Sequence, residues 1–167
     1  MGDGERDANR RAVRAARVGL VAVLGYALVG ALQTLVWNPL AAVPGATLGE
    51  IHAELAQADE SLSAPLVLGW ALVGTLLAAA VLRAAWQGSV VRVLEVVVLD
   101  LLILVAAVPS HWFASFPAGM GIADAFGTTG AQHAPWGMVL YAVSAVALLV
   151  LVAGLLVRGR AVPVPPT

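Results

Sequence analysis

Apolar residues in this chain gather into four long runs, 18–37, 65–85, 90–108 and 136–157. A helix needs about 20 mostly apolar residues to cross a bilayer, so each run has the length of a transmembrane span. The first is longer than the roughly 7–15 residues of a signal-peptide core and reads as an uncleaved anchor. Pro65 and Pro135 stand where the second and fourth runs begin. A first-turn N–H has no intrahelical acceptor, so proline is tolerated there. The pattern predicts an all-α integral membrane protein, a four-transmembrane-helix bundle formed as one domain over 1–167. Loops 38–64 and 109–135 connect the spans on one side, and tails 1–17 and 158–167 lie on the other.

The first loop carries its own helical signal. Thr47-Leu48-Gly49-Glu50 has the form of a capping box, in which two side chains satisfy free N–H groups reciprocally. Leu48, Ile51, Leu55, Ala58 and Leu62 then recur at helical spacing, with Glu50 and Glu54 on the opposite face. This predicts a short amphipathic helix lying on the membrane surface or capping the bundle. His52 and Asp59 border the stripe and belong to its solvated side. The second loop, with one charge (Asp124) and Trp112, Phe113, Phe116 and Phe126, is expected to fold onto the bundle or dip into the bilayer. Loops longer than about 12–15 residues are often functional. Residues 1–12 are polar and expected to lack fixed structure.

Composition agrees with the pattern. The chain is 60% hydrophobic and 11% charged, with a mean hydropathy of +0.91; soluble domains are about 45–50% apolar and about 25% charged. The absence of cysteine excludes a disulfide framework, a thiolate nucleophile and Cys-ligated metal. A net charge of −1 excludes a globally basic nucleic-acid binder. That small sum hides a polarised distribution. Arg6, Arg10, Arg11, Arg14 and Arg17 precede the first span, Arg83 and Arg92 flank the turn between the second and third, and Arg158 and Arg160 follow the fourth. Both long loops lack basic residues, which predicts cytoplasmic termini and outward loops. Trp37, Trp112 and Trp136 mark the outer ends, Trp86 the inner turn, and only Trp70 falls within a span. Arginine as the sole basic residue, with abundant Ala, Val, Leu and Gly, suggests a bacterial cytoplasmic membrane. One internal similarity, Gly25-Tyr26-Ala27-Leu28-Val29-Gly30 against Gly69-Trp70-Ala71-Leu72-Val73-Gly74, joins spans of opposite direction and reads as chance.

Candidate chemistry lies in the few polar positions within the spans. The third span holds Arg92, Glu95 and Asp100. Arg92 and Glu95, three apart, are spaced to pair near the inner surface. Asp100 is near the middle, where an acid costs about 2.5–3.5 kcal/mol on insertion scales. Ser144, Thr75 and Tyr26 lie at similar depth on the other three spans, with Gln33 and Tyr141 one or two turns outward. Two arrangements are compatible with this. One is a polar pocket floored by Asp100, walled by Gln33, Trp70 and Tyr141 and lidded by the second loop. The other is a buried, protonated Asp100 bonded to Ser144 and Tyr26. His111 and His133 stand near the two ends of the second loop, on the expected outer rim. Zinc would need a third ligand from Asp124, His52 or Glu54, and the spacing matches no metal motif, so no metal or cofactor is expected.

These features suggest a non-enzymatic accessory or ligand-sensing subunit. Alternatives are a proton-coupled transport component using Asp100, with Arg92 and Glu95 as an inner gate, or a membrane enzyme acting on a lipid or quinone at the outer face. The expected partners are the lipid bilayer and either another membrane protein or a second copy of the chain.

Overall fold

The computed structural model describes residues 3–90 and 92–160, and its described residues contain helices and connecting turns without strands. In chain order the helices are α1 (Asp3–Leu32), α2 (Asn38–Ala42), α3 (Leu48–Gln57), α4 (Ala64–Trp86), α5 (Val93–Phe126) and α6 (Gly137–Arg160). One wide turn, Gln33–Trp37, joins α1 to α2 without a break. Four helical stretches are long and apolar enough to span a membrane: Gly4–Ala42, Ala64–Trp86, Val93–Phe126 and Gly137–Val157.

A periodic stripe of small residues makes α1 the axis of the bundle. Ala12, Ala16, Gly19, Val23, Ala27 and Gly30 recur every three or four positions, and all are buried. Small side chains let neighbouring backbones approach closely, which suits helix packing where lipid competes for apolar contact. Helix α1 also includes the polar residues from Asp3, where no fixed structure was expected through residue 12. Ala12 and Ala16 pack into a cluster with Val81, Leu82, Ala85 and Val96, which holds this part of α1 against α4 and α5. At the opposite end Ala42, Ile51, Leu55, Leu62, Ala118 and Ile122 form a second cluster.

Two boundaries differ from the sequence expectation for one physical reason: proline does not end these helices. The first span does not stop at Trp37, because α2 continues to Ala42 with Pro39 in its first turn. Proline lacks an N–H and its ring crowds the carbonyl four residues back. Here the chain widens just before it, and the Asn38 N–H bonds to the Gln33 carbonyl, five residues back. The larger change is in α5, which runs through Pro109 and Pro117 to Phe126. Residues 109–126 are therefore helix, and only 127–136 is a connection. Hydroxyls flank both prolines. Ser110 donates to the Ala106 and Ala107 carbonyls at 2.7 and 3.1 Å, and Ser115 to the Trp112 carbonyl at 3.3 Å. The carbonyls that the prolines leave free are those of Val105 and Phe113, four residues back, so these bonds lie beside the missing ones and do not replace them. Ala114, Ala118, Gly121 and Ile122 keep α5 packed along one face, while Trp112, Phe113 and Phe116 are exposed on the other. The third span also starts slightly later than expected, after an extended Arg92.

Helix α3 begins with the Thr47–Glu50 capping box, and Ile51 and Leu55 are its buried side. His52, Glu54 and Asp59 are exposed. The tail 161–167 lies outside the described residues.

Candidate functional site

Four polar groupings replace the single layer expected around Asp100. They follow one another along α1, from its N-terminal half to the α3 end.

Asp100 comes first. It is buried against Gly19, where a β-carbon would overlap its carboxylate, and its Oδ1 has no hydrogen-bond partner. Neither arrangement weighed from the sequence is observed. Asp100 makes no hydrogen bond to Ser144 or Tyr26, and it lines none of the principal cavities among the described residues. Arg92 and Glu95 form the expected i,i+3 pair, 3.8 Å apart at the start of α5, with side chains 79% and 49% exposed.

One turn further along α5 is a closed hydrogen-bond group. Tyr26 Oη lies 3.2 Å from both the Leu140 carbonyl oxygen and Ser144 Oγ. Ser144 donates to the Leu104 carbonyl at 2.6 Å, which leaves its oxygen free to accept from Tyr26. This ties α1, α5 and α6 together without Asp100. Thr75, on α4, has no hydrogen bond to the group.

Beyond it Trp70 fills the junction of α1, α4 and α5. Its Nε1 donates to Ser110 Oγ at 3.0 Å, its ring meets the His111 ring edge-on at 4.8 Å, and Tyr26 lies 6.3 Å away. Gly30 leaves the space for it: a β-carbon there would come within 2.6 Å of the indole. The two similar segments at 25–30 and 69–74 thus face each other. His111 is buried within this junction, not on an outer rim, because the continuous α5 carries it inward. Its Nε2 lies 3.1 Å from Thr34 Oγ1 and 3.2 Å from the Gly30 carbonyl oxygen. A carbonyl can only accept, which assigns the proton to Nε2. His133 is elsewhere, exposed in the 127–136 connection, its Nε2 3.0 Å from the Thr129 carbonyl oxygen. The two histidines do not form one site. Among the described residues no three His, Asp or Glu side chains gather to hold a metal.

The fourth grouping is a half-open cavity of about 340 Å³ at the α3 end. Gln33, Thr34 and Asn38 line it from the wide turn and α2, Trp112, Ser115 and Phe116 from α5, Gln132 from the connection, and Tyr141 from α6. Gln33, Thr34 and Tyr141 line this cavity, whereas Asp100 does not and Trp70 faces a different groove. Gln33 is 1% exposed. Its Nε2 donates to the Ala134 carbonyl at 3.3 Å, and its Oε1 is buried without a partner. Asn38 secures the wall: its Oδ1 accepts from the His133 and Ala134 N–H groups at 2.7 and 3.3 Å. The Gln33–Trp37 turn is a π-type widening, a feature frequent at functional sites, and it brings Gln33 and Thr34 to the cavity together. Nothing in the hydropathy pattern marks it, but Pro39 after a polar Gln33-Thr34 pair is the signal to look for.

The fold and this cavity define a multi-pass four-helix protein with a polar recess at one end. Comparison with protein-family models, curated proteins and solved structures found no match.

Proposed function

We propose that the chain is a small multi-pass protein of the bacterial cytoplasmic membrane that binds a small molecule at its α3 end, as a non-enzymatic sensing or accessory subunit. One observation carries this reading: Gln33 Oε1 is buried without a partner in the wall of a polar cavity. A buried acceptor left unpaired costs about 1–3 kcal/mol, so such a group calls for a bound donor. Amides, hydroxyls and aromatic rings line the recess, and no acid, base or histidine does. That composition suits recognition rather than proton-transfer chemistry.

The arginine distribution supports a topology with both termini cytoplasmic and the recess facing outward. Arg17 lies over the Trp86 ring at 5.9 Å, and Trp37 and Trp136 meet at 5.5 Å, as interfacial residues would at the two membrane surfaces. Along α1, Arg17 and Trp37 are separated by about 30 Å, a hydrocarbon thickness. The helix lengths fit as well: Gly4–Ala42 and Val93–Phe126 contain 39 and 34 residues, so both extend past the bilayer and build the parts outside it. A proton-coupled transport role draws on a separate observation, the unpaired Asp100 carboxylate; proton flux in proteoliposomes that is lost in Asp100→Asn would favour it.

Extraction in mild detergent followed by native mass spectrometry tests the binding role. The wild-type chain should carry a stoichiometric organic molecule that is lost in Ser115→Phe, which fills the recess from α5. A bare chain mass would contradict it. Copurification of a second membrane protein would identify the accessory role.

A further inference from the structure

The reading above leaves the ligand's chemistry open, and the cavity wall narrows it. We infer that the recess takes an uncharged ring bearing a hydroxyl group, of the phenol or hydroquinone class. The inference rests on the recess being a ligand site and adds what that ligand must be.

Gln33 fixes the first requirement. Its amide nitrogen is committed to the Ala134 carbonyl, so turning the amide over would set two acceptors against each other. Oε1 is therefore the unpaired atom of a residue that lines the cavity, an acceptor only, and its partner must donate. Thr34 Oγ1 lies 3.1 Å from His111 Nε2, whose one proton also faces the Gly30 carbonyl, so that contact is internal to the protein and Gln33 alone sets the polar requirement. A hydroxyl group meets it, since its O–H donates.

Charge and shape set the rest. With no ionisable acid or base in the lining, a charged ligand would be desolvated without a counter-charge, which costs several kcal/mol. Trp112 and Phe116, whose rings are 5.8 Å apart, and Tyr141 supply an aromatic wall. A volume of about 340 Å³ lies at the small end of ligand pockets, about 300–1,000 Å³, and suits a single ring.

Calorimetric titration of the purified full-length protein in detergent, against matched micelle blanks, compares four probes: phenol, toluene, benzoate and benzylamine. Phenol should bind saturably at one site, with the other three at least about tenfold weaker. Gln33→Met, which keeps length and removes the acceptor, should weaken phenol by about fivefold to tenfold. Should that variant fail to fold, Ser115→Phe, which leaves the Gln33–Ala134 bond intact, should abolish binding. Toluene binding as tightly as phenol would overturn the hydroxyl requirement. Benzoate or benzylamine binding as tightly would overturn the uncharged requirement while leaving a ligand site in place. Saturable binding of none of them, with water alone at Gln33 Oε1, would overturn the inference.

Discussion

Replacing Gly30 by alanine tests the packing of Trp70 and His111 at the junction beside the recess. The added β-carbon would lie 2.6 and 2.7 Å from two indole carbons of Trp70 and 3.2 Å from His111 Cδ2. Carbon atoms in good contact are about 3.5–4.0 Å apart, so the indole must retreat by about 1 Å. It has little freedom to do so, with Nε1 bonded to Ser110 and His111 against its face. Overpacking of this kind costs about 1–3 kcal/mol, and loss of the indole hydrogen bond adds about 0.5–1.5 kcal/mol. The expected destabilisation is about 2–4 kcal/mol. Gly25→Ala is the matched control, since it lies on the same helix and its β-carbon meets nothing within 4 Å; it should be neutral or stabilising by up to about 1 kcal/mol. Reversible unfolding in mixed micelles, followed by tryptophan fluorescence and helical circular dichroism, reads both. Trp70→Leu in the Gly30→Ala background should recover at least about 1 kcal/mol relative to additivity, because it removes the atoms that clash. Equal stabilities for Gly30→Ala and Gly25→Ala, or strict additivity with Trp70→Leu, would refute the packing of α1 on α4.

Other outcomes follow from single contacts. A double-mutant cycle of Tyr26→Phe with Ser144→Ala should give a coupling of about 0.6 kcal/mol, the average for interhelical hydrogen bonds in membranes; zero coupling would mean that the 3.2 Å contact does not form in solution. Asn38→Ala strips the acceptor from two N–H groups, so the 127–136 connection should become more sensitive to protease while Asn38→Asp retains resistance. Asp100→Ala removes a buried carboxylate with an unpaired oxygen and should raise the unfolding midpoint, in contrast to the usual cost of a core truncation. Glu50 accepts from the Thr47 N–H and hydroxyl, which holds its carboxyl below the usual carboxylate range. Its stabilisation of α3 should be present above the ordinary Glu pKa and lost as pH falls through the lowered value. Protection factors of the first α3 amides should show this in wild type and not in Glu50→Gln. Because the chain has no cysteine, Gln57→Cys and Gln87→Cys report topology directly. An impermeant thiol reagent on intact cells should label the first, and reach the second only after permeabilisation.

The bundle was legible because its helices are long and apolar, and lipid tolerates little else. The start of α3 was visible too, since a capping box is a local four-residue signal. Ending the third span with its apolar run at residue 108 concealed the rest, although Ala114, Ala118, Gly121 and Ile122 already showed helical spacing beyond it. That error moved His111 from a buried junction to an imagined rim and paired it with His133. Depth along the spans grouped Asp100 with Tyr26 and Ser144, but depth carries no rotation. Asp100 faces Gly19, seven residues before Tyr26 on α1, and the hydroxyls meet one turn further along α5, at the Leu104 carbonyl. Gln33 emerged from its polarity in an apolar run, whereas its neighbour Thr34 gains its role from the widened turn before Pro39.

The central claim is that the recess at the α3 end holds an uncharged molecule against Gln33. A high-resolution structure of the protein extracted from its native membrane without added ligand tests this most directly. Density for a flat, non-water molecule with a polar atom about 2.7–3.0 Å from Gln33 Oε1 is the predicted result. A recess filled by water alone, or closed by the 127–136 connection with Gln33 Oε1 paired to protein, would contradict it.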